Sequence, residues 1–271
     1  MIAHTLRGAL ENYLLYHDLA AGSVDWYKRI VSVFCGWAGG DVQLARFNGE
    51  EISRLIRDKQ AAGRSPYYLR SLRNGLVAVM HDIRGDGPRE RVRGVRCPPL
   101  DPDGWTAAEV ELLLTAGCRD MPPASADKWR LCIALAYYTG LDRCDIERLE
   151  QRHFAADGGL LYRRSKTGSA PSGGVPLDLL AVIRAHGKGP VCRMGVTPEW
   201  FRRVFARIVQ RAGLFGTFKK LRKSSGSSVE RLEPGRGHKH LGNTRAIFER
   251  HYEVRRLAQG KPTLPERIRL G

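Results

Sequence analysis

The sequence lacks the features of several large protein classes. Its six cysteines are scattered and form no C-x-x-C pair, which argues against a structural zinc site and a disulfide framework. Most of them lie among apolar residues, as small buried side chains do in a reducing compartment. No apolar run reaches the length of a membrane span, and the first residues do not resemble a signal peptide. We therefore expect a cytoplasmic protein without membrane contact.

Acidic residues are also scarce. The chain has 28 Asp and Glu against 45 Lys and Arg, which gives a formal net charge of +17. Such a surplus favours a polyanionic partner, because Lys and Arg that bind phosphates release condensed counterions. A basic protein that is merely soluble is the weaker alternative. The 271 residues are enough for one or two domains with a sizeable core.

The first part of the chain, residues 1–97, is predicted to be a small helical domain. Apolar residues recur at helical spacing in four segments, and Ser23, Asn48 and Ser65 are predicted N-caps. Residues 84–102 then combine Gly, Pro and Arg without a helical period, which indicates a flexible basic linker. The arginines predicted to face DNA phosphates are Arg70, Arg73, Arg89, Arg91, Arg93 and Arg96. For Arg70 and Arg73, ordinary solvated surface is an equally good interpretation.

The second domain, residues 98–271, is predicted to be mainly α-helical with a small β-sheet. A capping box at Thr106 and Glu109 begins one helix, and Gly140 ends another. Asp142 is a good N-cap for the helix that follows. Segments 160–165 and 174–177 predict a β-hairpin around the turn Lys166-Thr167-Gly168. Helices are expected over residues 178–186 and 197–212.

Residues 218–252 contain the most informative pattern. A basic cluster is followed by a Gly-rich break and by a short helical run that ends at Tyr252. Cations that bind a phosphate, followed by a tyrosine on its own helix, suit phosphoryl transfer through a covalent protein–DNA intermediate. The alternative for Tyr252 is an amphipathic core tyrosine. The cluster consists of Lys219, Lys220, Arg222 and Lys223.

These motifs resemble the catalytic domain of the tyrosine recombinases, the phage-type integrases. That family has a His-x-x-Arg pair, an LGH motif and a nucleophilic tyrosine nine residues later, and the matching positions here are Lys219, Arg222, Asn243 and Tyr252. Its T-G-L-R-x-x-E/D motif is matched by residues 139–145, with Asp142 at the arginine position and Asp145 at the acidic one. The helical module and basic linker resemble the family's core-binding (SAM-like) domain.

The resemblance implies a reaction that uses no metal or other cofactor. Tyr252 would attack a DNA phosphate and form a 3′-phosphotyrosine, with Arg222 and Lys219 stabilising the charge and Lys166 as general acid. Asp145 would orient the basic groups. Asn243 can donate a hydrogen bond but cannot transfer a proton as an acid or base. His238 or His240 could take over that role. Arg143, next to the missing arginine, could reach a phosphate. Lys220, Lys223 and His240 would contact DNA.

The implied partners are double-stranded DNA in the nucleoid and further copies of this chain, as a tetramer on DNA. The tail 253–271 would pack against a neighbouring protomer. Because Asp142 and Asn243 replace family catalytic residues, a second hypothesis is a DNA-binding protein on a recombinase scaffold with weak or no catalysis. A third, an RNA-binding helical protein, explains the charge but not the ordered motifs.

Overall fold

The computed structural model describes residues 4–85, 90–98 and 102–254. The chain divides into two compact units, Met1–Pro99 and Leu100–Gly271, and each has its own apolar core. Arg89 and most of the predicted C-terminal tail, residues 255–271, lie outside the described residues. Within the described residues, no helix combines the length and apolar character that crossing a membrane requires.

The first unit contains the four predicted helices. Asn48 and Ser65 are confirmed as N-caps, because their side chains accept hydrogen bonds from the backbone N–H groups of Glu51 and Tyr68. The prediction for Ser23 was wrong, since the helix already begins at Ala21 and Ser23 lies in its first turn. The helices are α1 (Leu6–Tyr16), α2 (Ala21–Trp37), α3 (Gly49–Ala61) and α4 (Pro66–Arg84).

The predicted flexible linker is partly bound to this unit. In residues 90–98, Val92 and Val95 pack against the helical core. The Arg73 guanidinium donates to the carbonyls of Arg93 (2.9 Å) and Val92 (3.2 Å). The backbone N–H of Arg93 donates to Ser53 Oγ at 2.9 Å. These contacts correct two predictions. Residues 90–98 are bound to the first unit and do not form a free flexible linker, and Arg73 binds their backbone, whereas it was expected to face DNA phosphates or solvent.

A close approach between α2 and α4 gives the first testable prediction. A Cβ atom at Gly75 would lie 2.3 Å from Ile30 Cδ1 and 2.3 Å from Trp26 Cη2. We expect Gly75→Ala to lower the free energy of unfolding by about 1–3 kcal/mol, because the two side chains must leave their packed positions. Gly36→Ala is the matched control, since a Cβ there meets nothing within 4 Å. Urea unfolding of both variants checks the prediction, and equal stabilities would contradict it.

The second unit is built around α6. Residues of this helix such as Trp129, Ile133 and Leu135 are buried, and the Trp129 ring packs 4.7 Å from that of Phe201. The capping box of Thr106 and Glu109 is confirmed, as is the left-handed Gly140 (φ +63°) that ends α6. The helices are α5 (Ala107–Leu114), α6 (Pro123–Thr139), α7 (Arg143–Ile146), α8 (Leu177–Ala185), α9 (Pro198–Arg211), α10 (Lys219–Leu232), α11 (Gly237–His240) and α12 (Arg245–His251).

The predicted small β-sheet is not found in the described residues. Segment 150–176 contains only isolated antiparallel bridges, such as Phe154 with Leu160 and Gly159 with Gly174. The turn itself forms: the Arg164 N–H donates to the Ser169 carbonyl and the Gly168 N–H to the Arg164 carbonyl, both at 2.9 Å. Glycines and prolines between residues 158 and 176 explain the missing strands, because glycine weakens a strand and proline has no N–H to donate.

Most of the cysteines follow the predicted pattern. Cys35, Cys118, Cys132 and Cys192 are buried, whereas Cys97 is half-buried and Cys144 is exposed. Burial raises the pKa of the Cys118 thiol to about 11. All cysteines in the described residues are free thiols.

Candidate active site

A run of small residues on α10 allows the C-terminal helices to pack directly over it. Residues 224–228, Ser-Ser-Gly-Ser-Ser, are all buried. A Cβ atom at Gly226 would lie 2.7 Å from Leu241 Cδ1 and 2.9 Å from Phe248 Cε2. Phe248 is the buried residue of α12. The absence of a side chain at residue 226 therefore determines how closely α12 approaches α10.

Tyr252 lies at the C-terminal end of α12 and is half-buried. Its carbonyl accepts a hydrogen bond from Ser227 Oγ at 2.9 Å, and Ser227 Oγ in turn accepts from the N–H of Val254 at 2.7 Å. Ser227 thus ties the chain at Tyr252 and just after it to α10. The Tyr252 ring lies against the guanidinium of Arg222, with 5.1 Å between Arg222 Cζ and the ring centroid.

Arg222 is the central buried cation of the site, with 2% of its surface exposed. Its guanidinium donates to the Gly140 carbonyl, to the Leu241 carbonyl at 2.7 Å and to Asn243 Oδ1 at 3.4 Å. Burial, and then the charge of the nearby Arg164, lowers the pKa of Arg222. Three elements distant in sequence, α10 and the segments after α6 and α11, are joined at this one side chain.

Two buried hydrogen-bond donors of the site, on Arg222 and Asn243, have no partner in the part of the chain that the structure describes. Arg222 Nε and Asn243 Nδ2 are buried, and neither finds an acceptor among the described residues. A buried donor left unpaired costs about 1–3 kcal/mol, so native structures rarely keep one without a reason. Donors fixed in this way are suited to bind an oxyanion, because their orientation does not have to change when negative charge arrives.

Asp142 and Asp145 form a second part of the site with Arg164. Asp142 occupies the predicted N-cap position of α7, but its side chain makes no capping bond and pairs with Arg164. Asp145 is fully buried and accepts from Arg164 Nε (3.2 Å), Tyr162 Oη (3.2 Å) and both the N–H (3.0 Å) and Oγ (2.9 Å) of Ser165. Burial favours its neutral form, but these bonds from Ser165 and Arg164 outweigh burial and lower the pKa of Asp145.

The other predicted catalytic residues make different contacts or are exposed. Arg143 donates to Glu147 Oε1 (3.0 Å) and to the Val196 carbonyl (2.5 Å), and its guanidinium lies 4.4 Å from the Phe201 ring centroid. Arg143 Nε and Nη2 are therefore bonded within the protein, and a contact between Arg143 and a phosphate stays a prediction that this arrangement does not support. Lys166, at the tip of the 164–169 turn, and Lys219, one helical turn before Arg222, are both exposed.

His240 is buried rather than placed on a surface that could face DNA. Its Nε2 lies 2.6 Å from Ser225 Oγ, and 5% of the residue is exposed. Burial, followed by the charge of Arg222, lowers the pKa of His240 to about 4. The ring is neutral at pH 7, so it neither attracts phosphate by charge nor serves as a ready acid in place of Asn243. The predicted DNA contact of His240 is corrected accordingly.

Lys220 is also used inside the protein. Its ammonium pairs with Asp103, donates to the Phe215 carbonyl at 2.8 Å and lies 5.3 Å from the Trp105 ring centroid. Lys223 is half-buried. The predicted DNA-binding arginines that are exposed are Arg70, Arg91, Arg93 and Arg96. No group of three or more His, Cys, Asp or Glu that could hold a metal ion occurs in the part of the chain that the structure describes.

Sequence reasoning missed Ser227 and Arg164. The serine run of α10 was the available signal for Ser227, because small polar residues in a helix permit close backbone approach. For Arg164 the signal was period-2 alternation before the turn. Tyr162 and Arg164 fall on one face of an extended segment, and both bond to Asp145.

The sequence matches no protein-family model and no curated protein. The fold, however, is that of the tyrosine recombinases. The chain is similar to a lambda integrase dimer bound to a COC′ core site, with a TM-score of 0.73 and 19% identity, over 93% of this chain and 96% of that one. It is also similar to the Tn1549 transposon integrase in complex with circular intermediate DNA, with a TM-score of 0.67 and 13% identity, over 92% of this chain and 95% of that one.

Proposed function

We propose that this protein performs site-specific recombination by cutting and rejoining DNA through a phosphotyrosine at Tyr252. The observation that carries the proposal is the position of the Tyr252 ring against Arg222, in a site with two buried donors that find no acceptor among residues 4–85, 90–98 and 102–254. A phosphate placed there meets a nucleophile on one side and fixed hydrogen-bond donors on another. The fold shared with tyrosine recombinases supports the same reaction class.

The proposed chemistry needs only the side chains of this site. Tyr252 Oη attacks phosphorus, the bond from phosphorus to the 5′ oxygen breaks, and a 3′-phosphotyrosine forms. The phenolic proton leaves to solvent, and the 5′ oxygen receives a proton from Lys166, which is at an exposed turn where it can reach DNA. Arg222 and Asn243 donate to the non-bridging oxygens. Attack by the 5′-hydroxyl of a partner strand reverses the reaction, so rejoining requires no ATP.

The proposed partner is double-stranded DNA, bound through exposed basic residues of both units. The net charge of +17 favours this partner. We further propose that residues 1–97 act as the core-binding domain and residues 98–271 as the catalytic domain. Several protomers would act together on DNA in the nucleoid, as one similar structure is a lambda integrase tetramer bound to a Holliday junction. The exposed candidates for phosphate contact are Arg70, Arg91, Arg93, Arg96, Lys166 and Lys219.

A second candidate function is DNA binding without cleavage. Asp142 places a carboxylate in this site, and a negatively charged carboxylate does not stabilise a negatively charged phosphate. Asn243 cannot transfer a proton, and His240 is neutral and already bonded to Ser225. Loss of a single preorganised donor typically costs about 10²–10³ in rate. A site with these substitutions could bind a phosphate and turn over slowly or not at all.

Covalent trapping distinguishes the two functions. The protein is incubated with nicked duplexes taken from the DNA that flanks its gene, and adducts that survive denaturation are digested and mapped by mass spectrometry. We expect a nucleotide on the peptide that contains Tyr252, no adduct from Tyr252→Phe, and a normal yield from Tyr16→Phe, which changes an exposed tyrosine. An adduct that persists in Tyr252→Phe would overturn the assignment of the nucleophile. Tight binding of every duplex without any adduct would favour the second candidate.

A further inference from the structure

A buried arginine remains unexplained by the proposed roles. Arg164 is 6% exposed, and its guanidinium is shared between the carboxylates of Asp142 and Asp145. Bringing the Arg164 cation and the Asp145 anion into the interior is costly, and such pairs are often replaceable by apolar residues without loss of stability. A purely structural reason is available, since the group holds the 164–169 turn against α7. The position of Arg164 relative to Arg222 suggests a further one.

We propose that Arg164 is a second phosphate-binding guanidinium of the site, held in place by Asp142 and Asp145. The proposal rests on the proposed function. Arg164 would supply a cation at the point where the chain has an aspartate at residue 142. Asp142 would then act as a positioning residue, because its charge is directed at Arg164 and not at the substrate.

The first argument is the short path that connects the two arginines. Arg222 donates to the carbonyl of Gly140, and Arg164 pairs with the side chain of Asp142. Two residues of extended chain span at most about 7 Å, so the two guanidinium groups are held near the same short segment, residues 140–142. The electrostatic effect of Arg164 on Arg222 agrees with this placement, because it contributes to the lowered pKa of Arg222. Two cations held at one short segment favour the binding of an anion there.

The second argument is the direction in which Arg164 has donors to spare. Its Nε donates to Asp145 and its Nη2 to Asp142, whereas Nη1 makes no hydrogen bond to the described residues. The Asp145 side chain is fully buried, but 35% of the Asp142 side chain is exposed. The cluster is thus anchored on the Asp145 side and open on the Asp142 side. A guanidinium fixed by carboxylates at two nitrogens keeps a donor for a phosphate oxygen, with little freedom left to lose.

The third argument is that several donors of the site have no acceptor in the part of the chain that the structure describes. Arg222 Nε and Asn243 Nδ2 are buried without an acceptor among the described residues, and the side-chain hydrogen bonds of Arg164 there come from Nε and Nη2, which leaves Nη1 available. A phosphate group brings several oxygens, each able to accept more than one hydrogen bond. A phosphate bound at this site would supply acceptors for such donors.

The test removes Arg164 without changing the net charge of the protein. The double variant Asp142→Asn/Arg164→Gln keeps the net charge of +17 of the parent and removes the buried ion pair. Its control is Glu199→Gln/Arg202→Gln, which removes an ion pair whose side chains are 75% and 71% exposed. Each protein is compared with the parent for adduct formation on the nicked duplexes, for the salt dependence of binding to the same duplexes, and for its thermal midpoint.

We expect the Asp142/Arg164 double variant to form adduct about 10²–10³-fold more slowly than the parent. The slope of log K against log salt should become shallower by about 1, which is the contribution of one phosphate contact. The control should match the parent in both measurements. A double variant that cleaves and binds like the parent would overturn the inference and leave Arg164 as a structural link. If the parent itself forms no adduct, the proposed function fails, but the salt slope still decides whether Arg164 binds phosphate.

If the double variant does not fold, a second variant, Arg164→Lys, still tests the proposal. Arg164→Lys keeps the cation beside both carboxylates and is expected to fold. A lysine ammonium is a point charge without the fixed planar fork of arginine. We expect the variant to retain its DNA affinity and to lose cleavage rate, and a rate equal to that of the parent would overturn the inference.

Discussion

Replacing Arg222 by lysine is expected to lower adduct formation by about 10²–10³-fold while DNA affinity changes little. The positive charge is retained, so long-range attraction of DNA persists. The fixed geometry is lost, because the guanidinium bonds to the carbonyls of Gly140 and Leu241 and to Asn243 at the same time. An ammonium on a flexible stem cannot replace these bonds and also present a donor where Nε lies. Cleavage and binding are measured on the same nicked duplexes.

Arg203→Lys is the matched control, since it makes the same substitution at an exposed residue of α9. Circular dichroism and the thermal midpoint check that Arg222→Lys folds, because two carbonyls that accept from Arg222 lose their partner. The role of Arg222 would be contradicted by a folded variant that forms adduct at the rate of the parent. A proportional loss of binding and cleavage would instead assign Arg222 to DNA affinity.

The sequence predicted the helices well where local chemistry defines their ends. Asn48, Ser65 and Thr106 cap their helices because a side-chain oxygen reaches the free N–H groups of the next turn, which depends only on neighbouring residues. The prediction for Ser23 was wrong although its hydroxyl is a suitable capping group, because Ser23 lies two residues after the start of the helix. The prediction of a β-hairpin failed, because strand formation depends on pairing partners that the local sequence pattern does not specify.

Only part of the site was predicted from the sequence. The order of the motifs is visible in the sequence, whereas the direction in which each side chain points is not. Arg222, Asn243 and Tyr252 are brought together, as the resemblance implied. Arg143 and His240 were placed by their neighbours in sequence, yet tertiary contacts with Val196 and Ser225 direct them elsewhere. Arg164 was overlooked because its importance depends on residues 142 and 145, which only folding brings to it. Its role, like those of the other site residues, stays a prediction.

Asp145 connects this site to the stability of the whole second unit. Replacing it by asparagine is expected to lower the free energy of unfolding at pH 7 by about 3–5 kcal/mol, because Arg164 loses its buried anionic partner. An asparagine amide also presents N–H groups, where Arg164, Ser165 and Tyr162 all require an acceptor. Asp127→Asn is the matched control: Asp127 pairs with Arg130, but its side chain is 73% exposed. Its effect should stay below about 1 kcal/mol.

The pH dependence separates a charge effect from lost packing. The pKa of Asp145 is lower in the folded protein than its usual value, so its ionised form stabilises the fold above the unfolded-state pKa of about 4. This stabilisation is lost as the pH falls through the folded-state pKa. The difference in unfolding free energy between the parent and Asp145→Asn should therefore be constant from pH 7 to about 5 and shrink below about 4. Urea unfolding across that range measures it. A difference that does not shrink in acid would mean that the carboxylate acts through shape and hydrogen bonding alone, and would remove the electrostatic basis for Asp145 as the group that positions Arg164.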